Sequence, residues 1–164
     1  MRALFFILPI FIGVVSAQVR SIPSLKELPP VILKIDVVAP MSVGIGESDL
    51  RNFIERKLTS AGIKQQSTFL DLINAPRLYL TVTAPSGDSP FYFLNLELAQ
   101  FLRLWRPGDQ ETRANTLMYT WQGPTRSGML GSNGVPVIPT RDLVDKLLEE
   151  FIKDYREANP PAKP

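Results

Sequence analysis

Residues 77–99 read RLYLTVTAPSGDSPFYFLNLELA and contain the strongest strand pattern in the chain. In the first part, Leu78, Leu80 and Val82 alternate with polar or aromatic residues, which is the period-two pattern of a strand with one buried face. Turn-forming residues occupy positions 85–90. The second part again places apolar side chains at alternate positions: Tyr92, Leu94, Leu96 and Leu98. The pattern predicts an antiparallel hairpin with one leucine-rich face.

Further strands are predicted on both sides of this hairpin. Residues 31–38 alternate in the same way, residues 112–122 contain Leu117, Tyr119 and Trp121 at every second position, and residues 63–69 are a short candidate. The run from 91 to 105 is longer than a typical strand, so we expect a bulge or bend near Ala99 and Gln100.

Two segments have the period of an amphipathic helix. The first runs from Leu50 to the closing Gly62, and the second starts at Thr140 and ends before Pro160. A helix with a single apolar stripe must bury that stripe against another layer. We therefore predict an α+β fold, a two-layer sandwich in which a mostly antiparallel sheet of about four to five strands carries both helices on one face, in the order β-α-β-β-β-β-α.

The N-terminal residues 1–17, MRALFFILPIFIGVVSA, have the pattern of a signal peptide. One positive charge precedes an apolar run that is too short to span a bilayer, and small residues precede the expected cleavage site before Gln18. The chain then divides into a proline-rich extended lead-in (18–30), a single domain (31–158) and a disordered tail (159–164). We expect a bacterial protein that is exported to the periplasm or secreted, without a membrane span after cleavage.

Composition excludes several kinds of chemistry. The 164 residues include no His and no Cys, which removes the common nucleophile triads, the usual zinc sites and disulfides. A net charge of +2 is too small to predict a nucleic-acid surface. No cofactor and no metal site are expected, and no residues are predicted to be catalytic.

Carboxylates remain as candidates for acid/base chemistry. The ones outside the helices are Asp36, Asp71, Asp88, Glu97, Asp109 and Glu111. Glu97 stands out because it lies in mid-strand on the face away from the leucines, although a solvated sheet face also explains it. A carboxylate-dependent hydrolase is therefore one alternative function.

Three features resemble known proteins: the helix closing at Ala61-Gly62, the hairpin LYLTVTAP…FYFLNLELA and the order of elements. They resemble the N-terminal α/β domain of the periplasmic propeller protein of the Tol-Pal system, without the propeller. Thr120-Trp121, the glycine-rich loop that follows and the final helix LVDKLLEEFIKDYREANP are similar to small exported bacterial proteins of unknown function. The resemblance implies a fold and an envelope location.

An aromatic face is the main candidate for function. The predicted partner-binding residues are Tyr79, Phe93, Phe101, Arg103 and Trp105, which fall on or near the strand side opposite the leucines. Exposed aromatic patches on soluble proteins mark binding surfaces, but the glycine-rich segment 123–136 is an alternative cover for these rings. We expect a non-catalytic module that binds an envelope protein through a sheet face or edge. The other alternative is a carrier of an apolar small molecule between sheet and C-terminal helix.

Overall fold

The computed structural model of the protein describes residues 20–38, 46–66, 74–84, 89–104 and 114–161. The predicted signal peptide lies outside the described residues. The elements are a 3-10 helix (Ile22–Leu25), β1 (Ile32–Val38), α1 (Glu47–Ser60), β2 (Arg77–Thr83), β3 (Phe91–Leu104), β4 (Ala114–Gln122), β5 (Arg126–Met129) and α2 (Thr140–Ala158).

The five strands form one sheet in the order β1-β2-β3-β4, with β5 also paired to β3. β1 and β2 are parallel and α1 connects them, whereas the other pairings are antiparallel. β2 pairs with one edge of β3. The opposite edge of β3 pairs with β5 in its first part and with β4 in its second part. This arrangement confirms the predicted α+β class with a mostly antiparallel sheet.

Both helices pack on the same face of the sheet, as predicted. One continuous cluster of buried side chains joins the leucine-rich strand faces to both helices, with Leu50, Ile54 and Leu58 from α1 and Leu147 and Phe151 from α2. The helices also touch each other, since Lys57 of α1 pairs with Asp145 of α2 at 2.7 Å. We call the covered side of the sheet the inner face and the other side the outer face.

The predicted bulge is confirmed. The pairing of β3 with β4 shifts register between Leu98 and Ala99, where we expected a bulge, and the extra residue is Thr120 of β4. Of the short strand predicted at 63–69, the described residues show a parallel bridge between Gln65 and Val31, and residues 67–69 lie outside the described residues. A strand that was not predicted, β5, lies inside the glycine-rich segment.

β5 requires glycine at position 128. The Tyr92 ring fills the space beside this residue on the inner face, so that a Cβ atom at Gly128 would lie 2.1 Å from Tyr92 Cζ. The Tyr92 hydroxyl continues toward α2 and donates a hydrogen bond to the carbonyl of Ile138. A tyrosine buried between sheet and helix thus explains one of the glycines in segment 123–136.

The proline-rich lead-in is packed into the fold and is not extended throughout. Leu25 of the 3-10 helix is fully buried, and the Asn159 side chain after α2 donates to its carbonyl at 2.9 Å. Asn159 was assigned to the disordered tail, whose last three residues lie outside the described residues. The two ends of the described chain therefore meet at the same place.

A buried carboxylate fixes this junction. Asp154 of α2 is 1% exposed and accepts hydrogen bonds from Arg20 at 2.6 and 2.8 Å and from the Trp121 indole at 2.8 Å. The hydrogen bonds from Arg20 are the largest effect and hold the pKa of Asp154 below its ordinary value, although burial acts in the opposite direction. Glu150, one turn earlier on α2, pairs with both Arg20 and Arg126.

Candidate protein-binding face

The outer face of the sheet carries the side chains that alternate with the buried leucines. The registers of the strand pairs place them in rungs across the sheet. These rungs are Val38-Thr83-Phe93-Ser127, Asp36-Thr81-Asn95, Lys34-Tyr79-Glu97-Gln122 and Ile32-Arg77-Ala99-Tyr119. Phe91 pairs with Met129 at one end, and Phe101 pairs with Leu117 at the other.

Aromatic side chains gather at the end of this face near the bulge, which we call the tyrosine end. The rings of Tyr79 and Tyr119 meet edge to face with centroids 6.3 Å apart. The Arg77 guanidinium lies 5.4 Å from the centroid of the Phe101 ring. Ala99, with its small side chain, lies between Arg77 and Tyr119 in the same rung and is buried. Tyr119 itself is 50% exposed, so the end of the cluster is open to a partner.

A polar belt crosses the middle of the outer face. The Gln122 amide donates to the Glu97 carboxylate at 3.0 Å, and Thr125 donates to the Asn95 side chain at 2.7 Å. Burial raises the pKa of Glu97 above its ordinary value, and the hydrogen bond from Gln122 opposes part of that increase. Burial also raises the pKa of the Tyr119 phenol, with smaller contributions from the nearby Glu97 and Tyr79.

The opposite end of the outer face, the phenylalanine end, is also apolar and exposed. Phe91, Phe93 and Met129 have between 39% and 48% of their surface accessible. Val137 adds a further exposed side chain here, because its amide donates to the Met129 carbonyl at 2.8 Å. The outer face therefore consists of two apolar ends separated by hydrogen-bonded polar groups.

The predicted site residues fall at both ends of this face. Tyr79 and Phe101 are half-buried at the tyrosine end, and Phe93 is exposed at the phenylalanine end. Arg103 lies in β3 opposite Asn115, and Trp105 lies outside the described residues. Tyr79 contacts Tyr119 and Phe101 contacts Arg77 at the tyrosine end, whereas Phe93 pairs with Ser127 at the other end of the face.

Sequence reasoning missed Tyr119 and Leu117 as members of the face. Strict alternation along β4 groups them with Trp121, which is fully buried on the inner face. The extra residue at the bulge, Thr120, reverses the alternation, so Tyr119 and Leu117 point outward although Trp121 points inward. A predicted bulge on β3 was the available signal, but it does not tell which strand carries the extra residue.

The glycine-rich segment 123–136 continues the sheet. Gly123 extends the pairing of β4 through a hydrogen bond to the Leu96 carbonyl, and β5 then continues along the edge of β3. Beyond β5, Gly131 bonds to Val135 and the chain proceeds to α2 on the inner side. For the described rings of Tyr79, Phe93 and Phe101, the alternative that this segment covers them is therefore wrong.

Side chains fill the space between the sheet and α2. The Trp121 and Phe151 rings pack edge to face with centroids 4.9 Å apart, and both are fully buried. Among the described residues, these two rings therefore occupy part of the space between sheet and C-terminal helix in which a carrier site was predicted. A surface hollow of about 660 Å³ lies on α1 and is lined by polar side chains that include Asn52, Glu55 and Arg56.

Within the described ranges, no three acidic side chains come together in a way that would hold a metal ion. None of the described helices combines the length and the apolar character needed to cross a bilayer.

Comparison with known proteins gives likenesses of fold only. No family model matches the chain, and no curated protein matches its sequence. Among solved structures, a dodecameric PelC variant from Paraburkholderia phytofirmans has 12% identity and a TM-score of 0.42, with 79% of this chain and 90% of that chain covered. A hypothetical protein from Chlamydia trachomatis has 11% identity and a TM-score of 0.40, with 79% and 98% covered. A minor lipoprotein from Acinetobacter baumannii has 14% identity and a TM-score of 0.30, with 84% and 99% covered. The resemblance to the N-terminal domain of the Tol-Pal propeller protein stays a prediction.

Proposed function

We propose that the protein is an exported, non-catalytic module that binds an envelope protein through the outer face of its sheet. The observation that carries the proposal is the exposed apolar surface at the tyrosine end, where Tyr119 and Leu117 extend a cluster already ordered by Tyr79 and Phe101. Monomeric proteins rarely leave adjacent large apolar side chains on a flat sheet face without a partner.

The composition of the face suits a protein partner. Aromatic side chains and arginine contribute most of the energy in protein interfaces, and Arg77 lies in the same rung as Tyr119, with Ala99 between them. The polar belt is already hydrogen-bonded within the protein, so docking a partner against Glu97 and Asn95 would not strand their polar atoms. Because the residues lie on strands, little ordering is needed on binding.

The exported location rests on residues 1–17 and has its own test. We expect the protein recovered from bacterial periplasm or medium to begin at Gln18 and to have the corresponding lower mass. Intact-mass measurement gives the answer directly. A chain that retains Met1 and stays with the cytoplasmic fraction would contradict this part of the proposal.

Neighbouring positions on β4 provide a matched test of the binding face. Met118 is 42% exposed and precedes Tyr119, but the alternation of the strand points it to the other side. A photo-crosslinking amino acid placed at position 119 should give one discrete adduct in cells, and the same amino acid at position 118 should not. Adding Leu117→Ser to the position 119 variant should reduce the adduct.

Circular dichroism should show equal folding of these variants, so that the comparison reports binding alone. Equal adducts from positions 118 and 119, or adducts from neither, would refute the assignment of this face.

The alternatives have separate tests. A carrier should show additional bound mass in native mass spectrometry, whereas we expect the bare protein because Trp121 and Phe151 fill the interior. A hydrolase that depends on Glu97, whose pKa is raised by burial, should lose turnover in the Glu97→Gln variant. We expect no difference between that variant and the unchanged protein in an activity screen.

A further inference from the structure

Glu97 is a carboxylate in the middle of the outer face that has no counterion among the described residues. Its side chain is half-buried, and the hydrogen bond from Gln122 goes to one oxygen, Oε1, at 3.0 Å. In the described part of the chain, no basic side chain forms an ion pair with this carboxylate. Burial raises the pKa of Glu97, and the hydrogen bond from Gln122 opposes part of that increase. The charge is therefore partly desolvated and is not neutralised.

The basic side chains nearest to Glu97 in the strand register are held apart from it. Arg77 lies one rung away, and its guanidinium is 5.4 Å from the centroid of the Phe101 ring. Lys34 shares the rung of Glu97, but β2 lies between them, so two strand spacings of about 4.8 Å separate their backbones. The described part of the fold thus provides the carboxylate without its cation.

Two tyrosine rings flank this carboxylate. Tyr79 lies directly opposite Glu97 in the pairing of β2 with β3. Tyr119 lies in the next rung, beside the small side chain of Ala99, and its ring meets that of Tyr79 at an angle of 65°. Burial raises the pKa of the Tyr119 phenol and the charge on Glu97 adds to that increase, so the two groups lie within electrostatic reach of each other. The carboxylate is therefore next to aromatic rings, whose faces attract cations.

These groups together suit an arginine side chain. A partner that covered Glu97 with apolar groups would leave an ionised carboxylate in the interface with a single hydrogen bond from Gln122, which costs binding energy. A guanidinium removes this cost because it is both a cation and a donor. It also stacks on aromatic rings and is more weakly hydrated than the ammonium of lysine. A half-buried site favours the cation that loses less hydration.

We infer that the outer face binds an arginine side chain of its protein partner, with the guanidinium against the Glu97 carboxylate and beside the rings of Tyr79 and Tyr119. The inference rests on the proposed function, because it names the chemistry that the partner brings to the same face. One guanidinium N–H donates to Oε2 of Glu97, while Gln122 keeps its hydrogen bond to Oε1. A charged contact in the middle of the face also fixes how the partner is oriented on it.

A titration with blocked amino acids tests the contact without the partner. NMR at pH 7 follows the amide resonances of the ¹⁵N-labelled protein while N-acetyl-L-argininamide is added to about 100 mM. We expect a Kd of about 10–50 mM, with shifts at Tyr79, Glu97, Tyr119 and Gln122. The corresponding citrulline compound has nearly the same shape without the charge and should bind at least about fivefold more weakly. The lysine compound should bind at least about twofold more weakly.

Two variants separate the charge of Glu97 from the general charge of the face. Glu97→Gln keeps the shape of the side chain and should weaken the binding of argininamide at least about fivefold. Asp36→Asn removes an exposed carboxylate from the same face and should change the Kd by less than about 1.5-fold. Equal binding of the arginine and citrulline compounds, unchanged binding in Glu97→Gln, or no shift up to about 100 mM would overturn the inference. Equal binding of the lysine compound would exclude a preference for arginine.

The cross-link from position 119 tests the same contact with the partner in cells. The photo-crosslinking amino acid is p-benzoylphenylalanine, which keeps an aromatic ring at this position. Adding Glu97→Gln should lower the adduct about fivefold, whereas adding Asp36→Asn should leave it unchanged. A full-strength adduct with Glu97→Gln would overturn the arginine contact and leave the protein-binding face intact. If position 119 gave no adduct at all, the proposed function would fail, and the argininamide titration would still decide whether the site binds a guanidinium.

Discussion

Removing the Arg20 side chain should destabilise the fold strongly and in a pH-dependent way. Among the described residues, Arg20 donates two hydrogen bonds to the Asp154 carboxylate, and the Trp121 indole donates a third. In the Arg20→Ala protein the carboxylate stays buried between β4 and α2 with the indole as its remaining partner. A buried charge without its counterion costs far more than an exposed one.

The size of the loss can be bounded from the exposure of the two partners. Breaking a buried ion pair by removing one partner costs about 3–5 kcal/mol. The Arg20 side chain is 39% exposed, so water can enter the vacated space and solvate part of the carboxylate. We therefore expect a loss of about 2–3 kcal/mol of unfolding free energy at pH 7, below the range for a fully enclosed pair. In a chain of this size that corresponds to a decrease in Tm of about 5–10 °C.

The sign of the pH dependence follows from the pKa of Asp154. This pKa is lower in the folded protein than in the unfolded chain, so the ionised group stabilises the fold above about pH 4, the usual range for aspartate. That stability is lost as the pH falls through the folded pKa. In Arg20→Ala the largest influence that lowers the pKa of Asp154 is lost while burial still raises it, so the pKa should lie above that of the unchanged protein. The difference between the two proteins should therefore be largest at pH 7 and smaller near pH 3.

Urea unfolding at pH 3 to 7, followed by far-ultraviolet circular dichroism, measures this difference. Arg51→Ala is the matched control, because Arg51 pairs with the exposed Glu47 one turn away on α1. This variant should lose only about 0.5 kcal/mol. If Arg20→Ala were no more destabilised than Arg51→Ala, or equally destabilised at pH 3 and pH 7, the buried-carboxylate argument would be refuted.

Three further variants test other parts of the structure. Gly128→Ala should cost about 3 kcal/mol because its Cβ meets the Tyr92 ring, and adding Tyr92→Leu should recover part of that loss in thermal unfolding. Trp121→Phe should cost about 1–2 kcal/mol by removing a donor to buried Asp154, and NMR titration should show a higher pKa for that carboxyl. Glu97→Gln should gain about 0.5 kcal/mol of unfolding free energy at pH 7 and nothing near pH 3. The reason is that the pKa of Glu97 is raised in the folded protein, so its ionisation weakens the fold as the pH rises. Equal unfolding midpoints of the two proteins at pH 7 would contradict this.

Period-two patterns predicted the inner face of the sheet but not all of the outer face. On β2 and β3 the alternation of Leu78, Leu80, Leu94 and Leu96 is continuous, and all four are fully buried as expected. On β4 the alternation is interrupted at Thr120, and counting from Trp121 assigns the preceding residues to the wrong side. A bulge is decided by how two strands pair, so the sequence of one strand does not locate it.

Contacts between distant parts of the chain account for the other differences. Glycine-rich composition predicts a mobile loop at 123–136, yet Gly128 is small because Tyr92, far away in sequence, occupies its side-chain space. The prolines before β1 predict a linker, yet Leu25 is buried and held by Asn159. Local patterns carry no information about such partners.

The hydrogen bonds between Arg20 and Asp154 join residues 134 positions apart. When the chain is synthesised or exported from its N-terminus, Arg20 therefore emerges long before Asp154. Arg20 stays without this partner until α2 has emerged. Closing so long a loop is slow compared with forming the β2–β3 hairpin. Nascent chains truncated before α2 should thus contain a formed β2–β3 hairpin and a protease-sensitive N-terminal segment. That segment should become protected only when α2 is added.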